Sequence, residues 1–386
     1  MDDVYSERIF ESCNDWIRDL CNNPQNTYGC RWKRFNGHDW GVLLSIQPQF
    51  ANKCDKWDKI DGHDWRELLC KQPQFADKCD WSKLDGHDWG ELLCKQPQFA
   101  DKCDWSKLDG HDWRELLCKQ PQFADKCDWG KLEGHDWREL LCKQPQFADK
   151  CDWSKLDGHD WVMLLYEHPQ FADKCDWGKL EGDDWGTLLK VHPQFADKCN
   201  KWDQIDGWYW AEILYYQPQF ADKCDWNKLQ GQNWGWLLGK HPQFADKCNW
   251  KDFDCRAWSK LLSHQPQFAD KCNWDEIKYC PDCMLNLLYN QPQFADKCDL
   301  QRILCSSLGE SFRLTLLEKH PQFVDYLYDH LRSDEWMALL RTHPEFADKC
   351  NWERLNCYDL STLLSEHPQL VEKCTRNKDD WYPPQF

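Results

Sequence analysis

The stretch QPQFADKCDWSKLDGHDWRELLCK, residues 96–119, is followed at Gln120 by QPQFADKCDWGKLEGHDWRELLCK, which differs at two positions. Copies of this text recur through the chain, and one proline marks each copy. These prolines are at positions 24, 48, 73, 97, 121, 145, 169, 193, 218, 242, 266, 292, 321, 344 and 368. A period near 24 indicates a stack of small repeats, each contacting mainly its neighbours.

Apolar spacing predicts the first helix of each repeat. Before Pro97, the residues Trp89, Leu92, Leu93 and Gln96 follow the spacing i, i+3, i+4, i+7, which is one face of a helix. Asp85 has the residue type of an N-cap, and Asp88 three residues later completes an acidic capping box. Pro97 should end this helix and occupy the first turn of the next.

Two shorter segments follow in the same repeat. The segment QFADKC should bury Phe99 and Cys103, which are four residues apart. Asp104 is then a candidate N-cap for a third turn, in which Trp105 and Leu108 face inward. None of these helices reaches the roughly 12–15 residues that an isolated helix needs, so the stack must stabilise them.

We therefore predict an all-α fold, a right-handed superhelical α-solenoid of about fifteen 24-residue repeats, each of two to three short helices or 3-10 turns. Spacing and insertions suggest four regions. They are a divergent N-terminal capping repeat (1–36), a regular array (37–265), irregular repeats with insertions (266–345) and a C-terminal repeat with an incomplete cap (346–386).

In its period and in segments such as WRELLCKQP, the chain resembles the leucine-rich repeat variant class of bacterial α-solenoids over about residues 10–375. That resemblance implies the same short-helix architecture. Members of the class can carry an N-terminal cysteine cluster that holds an iron–sulfur centre. Cys13, Cys21 and Cys30 are spaced too widely to match it, so we expect no cofactor there.

Composition and charge exclude several classes of partner. The net charge is −18, which disfavours nucleic acid and also a base-reading array like that of TAL effectors, because phosphate binding needs clustered Lys and Arg. No apolar run approaches a membrane span of roughly 18 residues. The start MDDVYSERIF lacks the apolar segment of a signal peptide, which predicts a cytoplasmic protein.

Most of the 25 cysteines recur with the period. Fourteen lie six residues after a repeat proline, at positions 30, 54, 79, 103, 127, 151, 175, 199, 224, 248, 272, 298, 350 and 374. Leu327 occupies this position in one repeat, and leucine can replace a buried hydrophobe but neither a disulfide partner nor a metal ligand. We predict a ladder of reduced thiols in the core.

Cys280 and Cys283, in the segment YCPDCM, have the spacing of a zinc or redox knuckle. A zinc site needs further ligands, and Cys272, Cys298 and His264 are the remaining candidates nearby. Since no second pair stands at a suitable spacing, we favour an isolated pair and predict no metal site. Whether the pair binds a metal stays open on the sequence alone.

Variable positions indicate where a partner would bind. The positions seven, six, three and two residues before the proline vary among repeats, and on a helix they form one face opposite the core. In early repeats this stripe holds Glu-to-Lys pairs such as Glu91 with Lys95, which are typical of solvated helix surface.

From residue 161 onward the stripe, with the turn before it, becomes aromatic. We predict partner-binding residues at Met163, Tyr166, Trp208, Tyr209, Tyr215, Tyr216, Trp236 and Tyr289. Tyr and Trp dominate the energetics of protein interfaces. The alternative is that local irregularity, such as the extra residue at Lys201, turns some of them into the core.

The remaining motifs do not favour catalysis. His38, His63 and His87 recur in GHDW, where a turn or capping role is expected, and the Gln or His before each proline should form a hydrogen-bonding ladder between repeats. The sequence has no phosphate-binding glycine loop, G-x-S-x-G or H-E-x-x-H motif. A catalytic site is normally unique, so we predict a protein that is not an enzyme.

Two functions follow from these observations. The first is a non-enzymatic scaffold that binds a protein or peptide partner along the variable helix face, and the acidic net charge permits a basic partner without requiring one. The alternative is a structural protein that stacks end to end, because DDWYPPQF at 379–386 resembles the start of a further repeat whose exposed core surface would promote homo-association.

Overall fold

The computed structural model describes residues 13–297, 300, 303 and 307–374. Over these residues the chain forms α-helices and 3-10 helices with no strand, so the all-α repeat solenoid is confirmed. The segment 379–386 and Cys298 lie outside the described residues. The handedness of the superhelix and the four predicted regions stay predictions.

Except for the one-turn helices Trp274–Ile277 and Val324–Leu327, each α-helix lies in the part of a repeat that precedes the proline, as predicted. The α-helices are α1 (Cys13–Asn22), α2 (Gly37–Ile46), α3 (Gly62–Lys71), α4 (Gly86–Lys95), α5 (Gly110–Lys119), α6 (Gly134–Lys143), α7 (Gly158–Glu167), α8 (Gly182–Val191), α9 (Gly207–Tyr216), α10 (Gly231–Lys240), α11 (Cys255–His264), α12 (Trp274–Ile277), α13 (Pro281–Asn290), α14 (Ser307–Lys319), α15 (Val324–Leu327), α16 (Ser333–Thr342) and α17 (Cys357–Glu366).

The two segments after most α-helices are 3-10 helices, but Trp274–Ile277 and Val324–Leu327 in the corresponding segments are α-helical. The first begins at the repeat proline, as Pro48–Lys53, Pro73–Lys78, Pro97–Lys102, Pro121–Lys126, Pro145–Asp149, Pro169–Phe171, Pro193–Lys198, Pro218–Phe220, Pro242–Lys247, Pro266–Phe268, Pro292–Lys297, Pro321–Phe323, Pro344–Lys349 and Pro368–Leu370. The second is one turn, as Trp32–Arg34, Trp57–Lys59, Trp81–Lys83, Trp105–Lys107, Trp129–Lys131, Trp153–Lys155, Trp177–Lys179, Trp202–Gln204, Trp226–Lys228, Trp250–Asp252 and Trp352–Arg354.

The chain divides into two compact units, Met1–Asp184 and Trp185–Phe386. Within the first unit, α2 to α7 pack side by side in chain order. In the second unit, each helix in the series α9, α10, α11, α13, α14, α16 and α17 packs against the next helix of that series. Within each unit, a repeat therefore packs against the repeats that precede and follow it.

Helix starts and ends follow the local signals. The Asp85 carboxylate accepts from the Asp88 backbone N–H at 2.8 Å, and the Asp88 carboxylate accepts from the Asp85 N–H at 3.3 Å, which confirms the predicted capping box. The α-helix ends at Lys95, and Pro97 takes the first position of the following 3-10 helix. Its missing N–H costs nothing there, because the first turn of a helix has no intrahelical acceptor for it.

Stacked tryptophans form the core. Trp105, half-buried in the one-turn 3-10 helix, stacks on Trp113 of α5 with ring centroids 5.4 Å apart and planes 13° apart. Phe123 of the next 3-10 helix lies against the same Trp105 ring at 5.4 Å. Trp113 and Leu108 are fully buried. The same arrangement of two Trp and one Phe recurs from repeat to repeat.

Hydrogen bonds between repeats complete the packing. Gln96 Nε2 donates to the Cys70 carbonyl at 2.9 Å, and His168 Nε2 makes the equivalent bond to the Cys142 carbonyl at 3.0 Å. This is the predicted ladder, and its acceptors are carbonyls in the last turn of an α-helix, which have no intrahelical donor. A second ladder was not expected: Lys107 Nζ donates to the carbonyls of Ser82 and Leu84, at 2.8 and 2.5 Å.

The cysteine ladder is less buried than predicted. Most of its thiols, including Cys79, Cys103 and Cys127, are only half-buried. Burial nevertheless raises the pKa of each of these three thiols to about 12. They are therefore protonated at neutral pH and are weak nucleophiles and weak metal ligands.

The glycine that begins α2 to α7, α9 and α10 sits in a close contact between repeats. A Cβ on Gly134 would lie 2.3 Å from the Lys155 carbonyl oxygen, whereas a Cβ on the exposed Gly130 would meet only Asp128 Oδ1, at 3.3 Å. We expect Gly134→Ala to lower the free energy of unfolding by about 1–2 kcal/mol, because overpacking displaces the next repeat. Gly130→Ala, at a position where other repeats carry Ser, should change it by less than about 0.5 kcal/mol. Urea unfolding of both variants tests this; equal midpoints would contradict it.

Candidate functional site

The variable helix face, which was predicted to have four exposed positions in each repeat, has three. The position seven residues before the proline is buried between helices in many repeats: Arg66 is 6% exposed, Val162 2% and Ala211 0%. The expectation of an exposed fourth position was wrong, because the neighbouring helices approach closely enough to cover it. The positions six, three and two residues before the proline are exposed or half-exposed, except at Ser45 and Ser263, which are buried three residues before their prolines.

In the early repeats this surface carries ion pairs. Within one helix, Lys119 Nζ lies 2.6 Å from Glu115 Oε1, as the sequence predicted. Between repeats, Arg66 at the buried position pairs with Glu91 of the next helix, and Arg114 pairs with Glu139 in the same way. These residues thus stabilise neighbouring helices.

The structure places the predicted binding residues in separate locations. Met163 and Tyr166 lie on α7 in the first compact unit, and their side chains are 40% and 46% exposed. The other six lie in the second compact unit. Among these, Trp208 and Tyr216 of α9 are the most exposed, at 58% and 53%.

Four aromatic residues on α9 and α10 form one surface, which we call the aromatic face: Trp208, Tyr215, Tyr216 and Trp236. The Trp236 ring stacks on Tyr215 with centroids 4.0 Å apart and planes 4° apart. It also lies parallel to the Trp208 ring, at 6.5 Å and 7°. Tyr216 meets the edge of Tyr215 at 5.1 Å. Trp208 and Tyr215 are seven residues apart on one side of α9, so Trp236 of the next helix contacts both.

Charged groups border the aromatic face. Lys240 Nζ lies 3.9 Å from the centroid of the Tyr215 ring and 5.3 Å from that of Tyr216, which are cation–π distances. On the side toward α8, Lys190 Nζ pairs with Glu212 Oε2 at 3.0 Å. Lys240 therefore helps to hold the Tyr215 and Tyr216 rings in position.

Tyr209 has a packing role. It occupies the position of the capping-box Asp, and its backbone N–H donates to the Asp206 carboxylate. Its half-buried ring lies against Gly186 of α8. A Cβ on Gly186 would be 2.4 Å from Tyr209 Cγ, so the ring fits only because that residue is a glycine. Tyr209 is therefore packed between helices, as the alternative to a partner-binding role had predicted.

Tyr289 belongs to a different cluster. Its half-buried ring meets the edge of Phe312 at 5.6 Å and that of His320 at 6.4 Å. Lys319 Nζ lies 3.6 Å from its centroid. Tyr289 thus packs between α13 and α14 and makes its ring contacts away from the aromatic face.

The histidines of GHDW lie at helix starts on the surface. His38 Nδ1 is 2.8 Å from Asp64 Oδ1 of the next repeat, and this hydrogen bond raises the pKa of His38. His111 instead lies beside Arg114 of its own helix, with 2.7 Å between Nδ1 and Nη2. The contacts differ from repeat to repeat, which is consistent with local packing roles.

Three cysteine sulfur atoms come together at the junction of α11 and α13. Cys280 Sγ and Cys283 Sγ are 2.9 Å apart, and the Sγ atoms of Cys255, Cys280 and Cys283 all lie within 4.8 Å of one another. The spacing in the sequence offered Cys272, Cys298 and His264 as further ligands and did not indicate Cys255. The signal that points to it is a departure from the repeat, because Cys255 replaces the glycine that begins most α-helices.

No family model matches the sequence, and no curated protein is significantly similar to it. The resemblance to leucine-rich repeat variants therefore stays a prediction. Among the described residues, no helix is long and apolar enough to span a membrane.

Proposed function

We propose that the protein is a non-enzymatic repeat scaffold that binds a protein or peptide partner through the aromatic face. The observation that carries this proposal is the combination of exposure and order in these rings. Trp208 and Tyr216 present more than half of their surface to solvent, while Tyr215 and Trp236 are stacked in one arrangement. Rings that are already ordered lose little side-chain entropy on binding, which favours affinity.

The chemistry of the surface suggests what the partner carries. Exposed ring faces attract Arg and Lys side chains, and a net charge of −18 favours the approach of a basic protein over a nucleic acid. We therefore propose a partner segment with basic and apolar side chains. The proposal also includes a cytoplasmic location, where a reducing environment keeps the thiol ladder intact.

The variant Tyr215→Ala, Tyr216→Ala, Trp236→Ala tests this function. Proteins captured from a native lysate by the wild-type chain are identified, purified and titrated against wild type and variant. We expect affinity to fall by more than about a hundredfold, because single aromatic hot spots contribute about 2 kcal/mol or more. Light scattering and circular dichroism establish that the variant keeps its mass and helicity.

The matched control is Tyr28→Ala with Tyr358→Ala, since these tyrosines are 91% and 72% exposed and lie outside the aromatic face. It should bind the partner as the wild type does. Equal affinity of the triple variant, or self-association as the only interaction, would overturn the proposal. Self-association would instead favour the structural alternative. Partner contacts by Met163, Tyr166 and Tyr289 stay predictions, and separate variants of these residues would test them.

A further inference from the structure

The three-cysteine cluster arises from changes at specific positions of the repeat. Helices α3, α4, α5 and α7 begin with an N-cap Asp, then a glycine, then an Asp at the third helical position, as Asp109, Gly110 and Asp112 do. Cys280 and Cys283 replace the N-cap Asp and the third-position Asp of one repeat. Cys255 replaces the glycine of the repeat before it.

Regular repeats show why these positions meet. A Cβ on Gly86 would lie 2.6 Å from Asp112 Oδ2 of the next repeat, and a Cβ on Gly110 would lie 2.8 Å from Asp136 Oδ2. A side chain at the glycine position therefore points at the third-position side chain of the following repeat. When cysteines occupy both positions, their sulfur atoms are brought together by the fold.

The chain contains an internal comparison. Cys13 also occupies a glycine position, but the next repeat carries Asp39 at the third helical position, and Cys13 Sγ donates to the Arg34 carbonyl at 3.6 Å. A cysteine at the glycine position is thus tolerated without a cluster. The cluster requires the coincidence of Cys255 with Cys280 and Cys283.

From this geometry we propose that Cys255, Cys280 and Cys283 bind a thiophilic divalent cation, with Zn²⁺ as the ion of the matching class. Three thiolates match the ligand preference of zinc, and a tetrahedral ion keeps one position for water or an added donor. Cys283 lies on α13, Cys280 is the N-cap of α13 and Cys255 begins α11, so the ion links neighbouring repeats.

The position of the cluster at a helix start fits a stabilising role for an ion. The start of a helix favours negative charge, which three thiolates would provide. Ser259 Oγ of α11 donates to the Cys283 carbonyl at 2.8 Å, which fixes the position of α13. The N-cap Cys280 makes no side-chain capping bond, so an ion would stabilise a helix start that lacks the usual carboxylate.

The third sulfur distinguishes this proposal from a disulfide. A Cys280–Cys283 disulfide would use two thiols and leave Cys255 beside them with no bonding role. It would also need an oxidant to accept two electrons. A metal ion uses all three thiols and releases their protons on binding.

The test is a titration of the full-length chain, reduced and freed of metal with a chelator, with Co²⁺ as a spectroscopic probe and then Zn²⁺ in competition. We expect one tightly bound ion per chain with thiolate-to-cobalt charge-transfer absorption, displaced by Zn²⁺. Cys255→Ser should weaken binding by more than about tenfold, because even the loss of an outer partner of a metal ligand costs 10–100-fold. Zn²⁺ should raise the Tm of the wild type and not that of the variant.

Two controls keep the result interpretable. Cys13→Ser with Cys357→Ser changes the same repeat position elsewhere and should bind like the wild type. The variant Cys255→Gly, Cys280→Asp, Cys283→Asp restores the regular pattern, so it should fold and lose the tight ion. Equal Co²⁺ binding by wild type and this restored variant would overturn the proposal. So would alkylation mass spectrometry that finds a Cys280–Cys283 disulfide in a chain with no tight Co²⁺ binding after reduction.

Discussion

Replacing Trp113 by alanine is expected to lower the free energy of unfolding by about 3–5 kcal/mol, the cost of deleting a large aromatic side chain from a packed core. The Trp113 side chain is fully buried and stacks on Trp105. Its indole N–H has no hydrogen-bond partner, so its contribution comes from packing. Because each repeat is stabilised mainly by its neighbours, the loss in mid-array should also separate the unfolding of the repeats on either side. Urea unfolding followed by far-UV circular dichroism would then show a lower midpoint and a smaller m-value.

Two further variants separate burial from stacking. Trp113→Phe keeps an aromatic ring and removes the unpaired N–H, so it should cost less than Trp113→Ala. Trp105→Ala loses the same stacking contact from a half-buried position and should also cost less than Trp113→Ala. Equal losses for Trp105→Ala and Trp113→Ala would mean that burial does not determine the contribution of these residues.

Replacing Lys131 by methionine is expected to cost about 1.5–3 kcal/mol, the range for hydrogen bonds to charged groups. Lys131 Nζ donates to the carbonyls of Ser106 and Leu108 in the preceding repeat, at 2.8 and 2.5 Å. Methionine keeps most of the apolar stem and leaves both carbonyls without this donor. The measurement is the urea midpoint at fixed pH and salt.

Lys126 provides the matched control in the same repeat. It is 52% exposed and pairs with the adjacent Asp125 at 3.4 Å, and such surface pairs contribute little. Lys126→Met should therefore change stability by less than about 0.5 kcal/mol. If both methionine variants have the same midpoint, the lysine ladder does not hold the repeats together.

Local signals were enough to predict each repeat. The spacing of Trp89, Leu92 and Leu93 and the proline at position 97 place an α-helix and its end, because both depend on residues within a few positions of each other. The capping box of Asp85 and Asp88 is equally local. The glutamine ladder was also predictable, since its partners recur at the same position of every repeat.

The candidate functional surfaces could not be predicted from the sequence to the same extent, because they depend on contacts between repeats. Helical period alone placed the residue seven before the proline on the surface, but the next helix covers Arg66 there. The same period could not distinguish Tyr209, which packs on Gly186, from Trp208, which is exposed.

The sequence by itself determined an all-α array of 24-residue repeats with tryptophan cores, because helix caps, proline and apolar spacing act over a few residues. Only the tertiary structure decided that Trp236 stacks on Tyr215, that Lys131 bonds the preceding repeat and that Cys255 joins Cys280 and Cys283. These contacts join residues about 21 to 28 positions apart. Their partners are set by which side chains face each other across neighbouring helices, and the period of a single helix carries no information about that.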